Sequence, residues 1–347
     1  MSAGEPPRKR RPRYAGTHPR RFEEKYKEKD PIRFPDEREK VLASGKTPAG
    51  SHVPILVNEV LEALAPRPGE VFVDGTLGWG GHAEAVLGRL LPGGRLVGLD
   101  VDTAELPRTV ARLRGLGFDE RMLTGVRRNF AGLRAALDEL GLPAVNGILL
   151  DLGVSSMQID DPARGFSIKR DGPLDLRMDP ARGAPAHVLL ERLSEKALEK
   201  ALAAQDEEHA ALVARAIGGR RGEIRTTQAL KTTILEALSS LSERERRDLA
   251  DLPVRRAFQA LRILVNGEDT ALDAFLAALP SCLVPGGRVA ILSFHSGEDR
   301  AVKKAFQSGF RSGVFAAVSP EVVRASPEER RANPRSTSAK LRWAIRA

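Results

Sequence analysis

Four short apolar runs, spaced by segments of helix length, constrain this chain more than any other feature. They are Val71-Phe72-Val73-Asp74, Arg95-Leu96-Val97-Gly98-Leu99-Asp100, Asn146-Gly147-Ile148-Leu149-Leu150-Asp151 and Arg288-Val289-Ala290-Ile291-Leu292-Ser293-Phe294. Each has the length of a strand and the continuous apolarity of one buried on both faces. Helical patterns run through Ala83–Leu87 and Thr103–Leu113, and Arg121–Val126 is a weaker third strand. Strands alternating with helices predict a parallel, doubly wound α/β sheet. An amphipathic stripe over Ile55–Leu64, closed by Pro66 and Pro68, precedes it, and Leu341–Ile345 reads as a closing edge strand.

The rhythm breaks after Asp151. Residues 160–184 are rich in Asp, Arg, Gly and Pro, too polar for a core strand or helix, and the pattern from Ala186 to Ser240 is wholly helical. A helical block set into an α/β sheet predicts an inserted domain. The expected division is residues 51–158 with 256–347 for the sheet domain, and 159–255 for a mainly helical substrate-recognition insertion. Pro285-Gly286-Gly287 reads as the turn that returns the chain to the sheet.

Charge is distributed unevenly. Residues 1–21 hold seven basic side chains and one acid (Glu5), a net of +6 out of +9 for the whole chain. Together with the absence of hydrophobic periodicity, this predicts a mostly disordered basic extension over residues 1–50. Such a tail suits a polyanion through counterion release, and serves equally as a solvated tail. No apolar run approaches the ~20 residues of a membrane span. The single cysteine, Cys282, excludes an internal disulfide and a cysteine metal cluster. A cytoplasmic setting without membrane contact is the expectation. Oligomeric state is not legible, and a homodimer stays open.

In open α/β sheets ligands bind beyond the carboxyl ends of the strands. Here the first strand runs into Asp74-Gly75-Thr76-Leu77-Gly78-Trp79-Gly80-Gly81-His82. Glycines let the backbone turn tightly and approach a ligand. A dinucleotide site needs G-x-G-x-x-G and a strand end free of negative charge for the pyrophosphate, and this turn has neither. S-adenosyl-L-methionine carries no phosphate but does carry a sulfonium and an amino group, which Asp74 suits. Asp100 ends the second strand, where an acid accepts hydrogen bonds from ribose hydroxyls. Asp151 ends the fourth. The six histidines show no metal-ligand spacing, so no metal is expected. Phe294-His295-Ser296-Gly297-Glu298-Asp299-Arg300 invites a Ser–His–acid triad, but Glu298 and Asp299 open a helix and suit its dipole.

At these residues the resemblance becomes specific. Residues 74–82, Leu-Leu-Asp-Leu-Gly-Val-Ser-Ser (149–156), Arg-Gly-Phe-Ser-Ile-Lys-Arg-Asp-Gly-Pro-Leu-Asp-Leu-Arg-Met-Asp (164–179), Phe-Gln-Ala-Leu-Arg-Ile-Leu-Val-Asn (258–266) and Ser-Phe-His-Ser (293–296) resemble the RsmH (MraW) family. These are bacterial cytosine-N4 methyltransferases of 16S ribosomal RNA in the decoding region of the small subunit. The resemblance covers residues 51–347 and implies a class I, Rossmann-like methyltransferase fold with a helical insertion. It implies that Gly80, Gly81 and His82 lie along the methionine end of the cofactor, Asp100 on the ribose and Phe130 beside the adenine. Asp151 and Gln158 would lie near the amino acid and methyl group, with Asp151 and, more weakly, His295 as candidates to take the amine proton. Departures at Gly297, at Gln205-Asp206-Glu207-Glu208-His209 and at Gly267-Glu268-Asp269 touch the expected RNA side, not the cofactor pocket. The rivals are a methyltransferase of another nucleic-acid amine, against which stands the missing Asp/Asn-Pro-Pro-aromatic loop, and a non-catalytic RNA-binding assembly factor.

Overall fold

A computed structural model describes residues 54–347; the expected basic extension at 1–50 lies outside the described residues. In chain order the first half runs α1 (Val57–Leu64), β1 (Val71–Asp74), α2 (Gly81–Leu90), β2 (Arg95–Asp100), α3 (Glu105–Gly115), β3 (Leu123–Arg127), α4 (Leu133–Glu139), β4 (Val145–Asp151) and α5 (Ser156–Asp160). A helical stretch follows: α6 (Ala186–Arg192), α7 (Glu195–Ala203), α8 (Ala210–Gly219), α9 (Thr227–Ala237), α10 (Glu243–Leu249), α11 (Leu252–Asn266) and α12 (Glu268–Cys282). The chain then returns to the sheet through β5 (Leu283–Ser293), α13 (Ser296–Arg311), β6 (Phe315–Val318), α14 (Pro327–Ala332) and β7 (Lys340–Arg346).

The seven strands lie in the order β3-β2-β1-β4-β5-β7-β6. The first five are parallel, and β7 and β6 are antiparallel to their neighbours. The order reverses at β1, so the crevice beyond the carboxyl ends of β1 and β4 is where such a sheet binds ligands. Two sequence expectations are corrected. Leu341–Ile345 belongs to β7, which is interior, because the short Phe315–Val318 pairs outside it and forms the edge. Residues 285–287 do not interrupt the strand: β5 runs through them, at the cost of a register shift against β4 between Val145 and Gly147.

Each face of the sheet has its own core. On one, Val73, Val97, Ile148 and Ile291 meet Leu137 of α4, Phe275 and Leu279 of α12 and Phe306 of α13. On the other, Phe72, Leu96, Leu149 and Leu292 meet Val60 and Leu64 of α1 and Leu87 of α2. Alternate residues of one strand therefore serve opposite cores, which is why the runs are apolar throughout. Full burial of each such side chain is worth about 2 kcal/mol.

A third core joins Leu198, Val213, Ile217, Leu230 and Ile234 of the helical stretch to Val254, Phe258 and Leu261 of α11. The polar segment 160–184 contributes more to it than its composition suggests. Leu174 and Leu176 are fully buried there, and Leu174 N donates to Arg225 O at 2.9 Å. Asp161, Ser167, Asp175 and Asp179 side chains accept from its backbone, so beyond one 3-10 turn (Pro162–Arg164) the segment is ordered without regular helix or strand.

Candidate active site

Three acids converge where the strand order reverses, in a cavity of about 400 Å³, within the range of small-molecule sites. Asp74 is 2% exposed, and its Oδ1 accepts from Thr76 N at 3.0 Å. Burial pushes this carboxyl up to about 6, against the pull of His82 and the Thr76 amide. Asp100 accepts Gly78 N on Oδ2 (2.7 Å) and Asp102 N on Oδ1 (2.8 Å), and burial raises its pKa too. The Val101 amide bonds this carboxyl as well, and of a carboxylate's lone-pair positions, about four, this leaves about one for a hydroxyl donor. Asp151 is anchored through its own N–H, which donates to Thr76 Oγ1 at 2.6 Å. Its carboxyl is pushed up to about 7, first by burial and then by the negative charge of Glu298.

The glycine turn shapes the wall between these acids. Gly80 stands before α2 with φ +77°, and a Cβ there would sit 2.8 Å from Thr109 Cγ2. Gly75 leaves room for Leu150, whose Cδ2 would lie 2.4 Å from an added Cβ. The turn is pinned from α3: Thr109 Oγ1 donates to Gly78 O, and Arg112 donates to Trp79 O while lying 5.1 Å over its ring. Gly80, Gly81 and His82 all line the cavity. Both ring nitrogens of His82 are engaged, however: Nε2 with Ile55 O at 2.9 Å, and Nδ1 at 3.5 Å from Asp151 Oδ2. Burial holds the imidazole below its ordinary pKa, so it is neutral.

Gln158 and Phe130 also reach the wall. Gln158 closes a capping box with Ser155 at the start of α5, and its amide nitrogen donates to Asp102 Oδ2 at 3.3 Å. Phe130 turns its edge to Phe275, with ring centroids 6.0 Å apart, and leaves the rest of its ring to the cavity.

Sequence reasoning missed Asp102, which is 2% exposed and takes Arg164 Nη1 at 2.8 Å. Burial alone would raise its pKa, but the Arg164 hydrogen bond and charge outweigh that and hold it low. Arg164 also donates to Met178 O, so this pair fastens segment 164–179 beside the cavity. The only signal was an Asp two residues past the strand end, indistinguishable from a helix-start acid.

Of His295 and Glu298, it is Glu298 that reaches the cavity. His295 does not line the cavity; it caps α13, with Nδ1 accepting from Glu298 N at 3.4 Å and Nε2 3.0 Å from Glu298 Oε1. Glu298, expected only to suit the helix dipole, is 4% exposed, lines the cavity and accepts Phe294 N at 2.9 Å. Burial would raise its pKa, yet the bond from His295 and the charge of Arg262 hold it low. Arg262 itself forks onto Glu268 at 2.8 and 2.9 Å. Asp299, the other acid in the first turn of α13, also pairs with Arg342 of β7 at 2.6 Å.

The donor set fits a cation with a nucleoside. Asp74 and Asp151 are acids on the cavity wall with no Lys or Arg ion pair among the described residues, Asp100 keeps acceptor capacity, and Phe130 offers a ring. Residues 49–347 match the MraW methylase family. "Ribosomal RNA small subunit methyltransferase H 1" of Lachnoclostridium phytofermentans is 48% identical, over 99% of this chain and 94% of that protein. "Ribosomal RNA small subunit methyltransferase H 2" of Alkaliphilus metalliredigens is likewise 48% identical, over the full length of both. The crystal structure of TrmN from Thermus thermophilus is a distant likeness, 14% identical with a TM-score of 0.40 over 84% of this chain and 48% of that one.

Proposed function

The chain belongs to the MraW methylase family, and from that premise we propose that it methylates the exocyclic N4 of a cytosine in the RNA of the small ribosomal subunit. It is a methyltransferase, its donor is S-adenosylmethionine, and its substrate is ribosomal RNA. When bound, the donor supplies an electrophilic methyl group on a cationic sulfur. The chain's residues do the rest. Asp74 and Asp151 would meet the donor's positive charge, Asp100 would accept from the ribose hydroxyls, and Phe130 would lie beside the adenine.

The observation that carries the acceptor assignment is Asp151. It ends β4 on the cavity wall, and the wall continues from it through Leu152–Ser155 to Phe294. The amino nitrogen of cytosine is a weak nucleophile, because its lone pair is delocalised into the ring. The site must align it with the methyl group and accept its proton as charge develops. Asp151, poised about 7, is suited to a base working near neutrality. Phe294 offers a face for a base that has left its stack, and the target must be unpaired for its N4 to be free. Segment 160–184 and the helical stretch behind it, residues 159–255 with α11, would form the RNA-recognising side. Work on ribosomal RNA fits a cytoplasmic protein.

The test is methyl transfer to small ribosomal subunits, followed by nucleoside analysis. Formation of N4-methylcytosine, lost with Asp151→Asn, supports the assignment. A different methylated nucleoside, or full activity in both Asp151→Asn and Asp100→Ala, overturns it.

A further inference from the structure

The two nitrogens of His82 face chemically different partners, and that fixes where a proton lies. Nε2 is 2.9 Å from the carbonyl oxygen of Ile55, an atom that only accepts, so Nε2 carries the ring hydrogen. The ring is 6% exposed, and burial disfavours the imidazolium. One hydrogen is therefore all it has, and Nδ1 keeps its lone pair. That lone pair looks toward Asp151 Oδ2, 3.5 Å away. Two facing lone pairs repel in a buried place unless a proton sits between them. The imidazole's hydrogen is committed to Ile55, so the proton must come with the carboxyl.

The surrounding charges decide how firmly. Asp74 on β1 and Glu329 on α14 face His82 and favour its charged form, but desolvation outweighs both. Glu298 on α13 faces Asp151, Asp74 feels the charge of Asp151 in turn, and these carboxylates favour the protonated acid. Among the described residues, the group found against Nδ1 is the Asp151 carboxyl.

We propose that His82 is a positioning residue for the transfer: its Nδ1 accepts a hydrogen bond from the Asp151 carboxyl, and so sets how readily Asp151 takes and holds the amine's proton. This rests on Asp151 being the proton acceptor. In the step itself the amine's lone pair forms the new N–C bond, and the pair of the broken C–S bond stays with sulfur. One N–H proton passes to Asp151, its electron pair remaining on nitrogen. The acid so formed is neutral and points its proton at Nδ1. His82 thus does its work through Asp151, beyond whatever contact its ring makes with the cofactor.

The experiment is single-turnover methylation of small ribosomal subunits at saturating S-adenosylmethionine across a pH series, with wild type, His82→Phe and Asp151→Asn. In wild type the rate rises with pH as Asp151 ionises. His82→Phe keeps a ring but removes the lone pair, so the protonated acid loses its acceptor and the rising limb moves down by about one pH unit. An unmoved limb in His82→Phe, with the limb gone in Asp151→Asn, overturns the role of His82 alone. A limb that persists in Asp151→Asn overturns the assignment of Asp151 as base. Should His82→Phe fail to fold, nitrogen NMR of the unaltered protein decides. An Nε2–H tautomer with Nδ1 accepting near neutral pH upholds the proposal, and an imidazolium or an Nδ1–H tautomer overturns it.

Discussion

Replacing Asp151 by Asn should make the protein more stable while it disables the transfer, and the gain should depend on pH. The Asp151 carboxyl rises from 3.8 to about 7 on folding, a change of about 3 units. At ~1.36 kcal/mol per unit this is a cost of about 4 kcal/mol once the group is ionised in both states. Between these two values the unfolded chain has released a proton that the folded chain keeps. Folded protein therefore binds more protons, and stability falls as pH rises through the window. Asn has no proton to lose. The stability difference between variant and wild type should widen by about 2.5 kcal/mol from pH 5 to pH 8 and stay flat above that. Asp151 keeps 22% of its side chain open to the cavity, so water there makes the figure a ceiling. Asp74 titrates in both proteins and cancels to first order. Urea unfolding at three pH values reads the difference directly, with equal slopes in denaturant as the check that the same surface is exposed. A constant offset at every pH would refute the reasoning, since Asp151 would then ionise in the folded protein as it does in water. The same variant should lose about 100-fold or more in single-turnover rate.

Binding of S-adenosylmethionine near pH 6.5 should release protons, because its positive charges favour the ionised forms of Asp74 and Asp151. Titration calorimetry in buffers of different ionisation enthalpy measures the number, and zero release would contradict the placement of these acids. Asp100→Ala should weaken cofactor binding about 10- to 100-fold by removing charge-assisted bonds to the ribose, read by equilibrium binding. Gly80→Ala should cost about 2–4 kcal/mol, from a left-handed backbone at φ +77° and a Cβ 2.8 Å from Thr109; thermal unfolding checks it. Arg164→Ala strands the buried carboxylate of Asp102, a loss of about 3 kcal/mol. Its signature is faster hydrogen exchange over residues 164–179, which Arg164 otherwise holds through the carbonyls of Arg177 and Met178.

Much of the frame was legible because the determinants are local. The strands β1, β2, β4 and β5 are apolar throughout, since adjacent residues such as Phe72 and Val73 serve opposite cores. Three of them end on acids, and Asp74 together with the missing G-x-G-x-x-G separated a cationic ligand from a pyrophosphate. What escaped is non-local. β6 is four residues long and partly exposed, and it becomes a strand only because β7 lies beside it. The 164–179 segment is held by Arg164 on Asp102 and by Leu174 and Leu176 in a core built from helices that come later in the chain.

The placement of Glu298 on the cavity wall, with His295 bonded behind it, has the same origin. In the sequence, a histidine before a helix-opening acid reads as the reactive group, and the acid reads as a dipole partner. In the fold, His295 turns inward to bond Glu298, and the charge of Arg262 on α11 adds to that in keeping Glu298 ionised beside the cavity. Burial makes ionisation at Asp151 costly, and an ionised Glu298 adds to that cost. Arg262 therefore acts on the base at one remove: by holding charge on Glu298 it helps keep Asp151 available near neutrality. The penalty for clustering acids in the crevice is thus tied to the reaction, because a carboxylate ionised at its ordinary value would be too weak a base to draw a proton from an amide-like nitrogen.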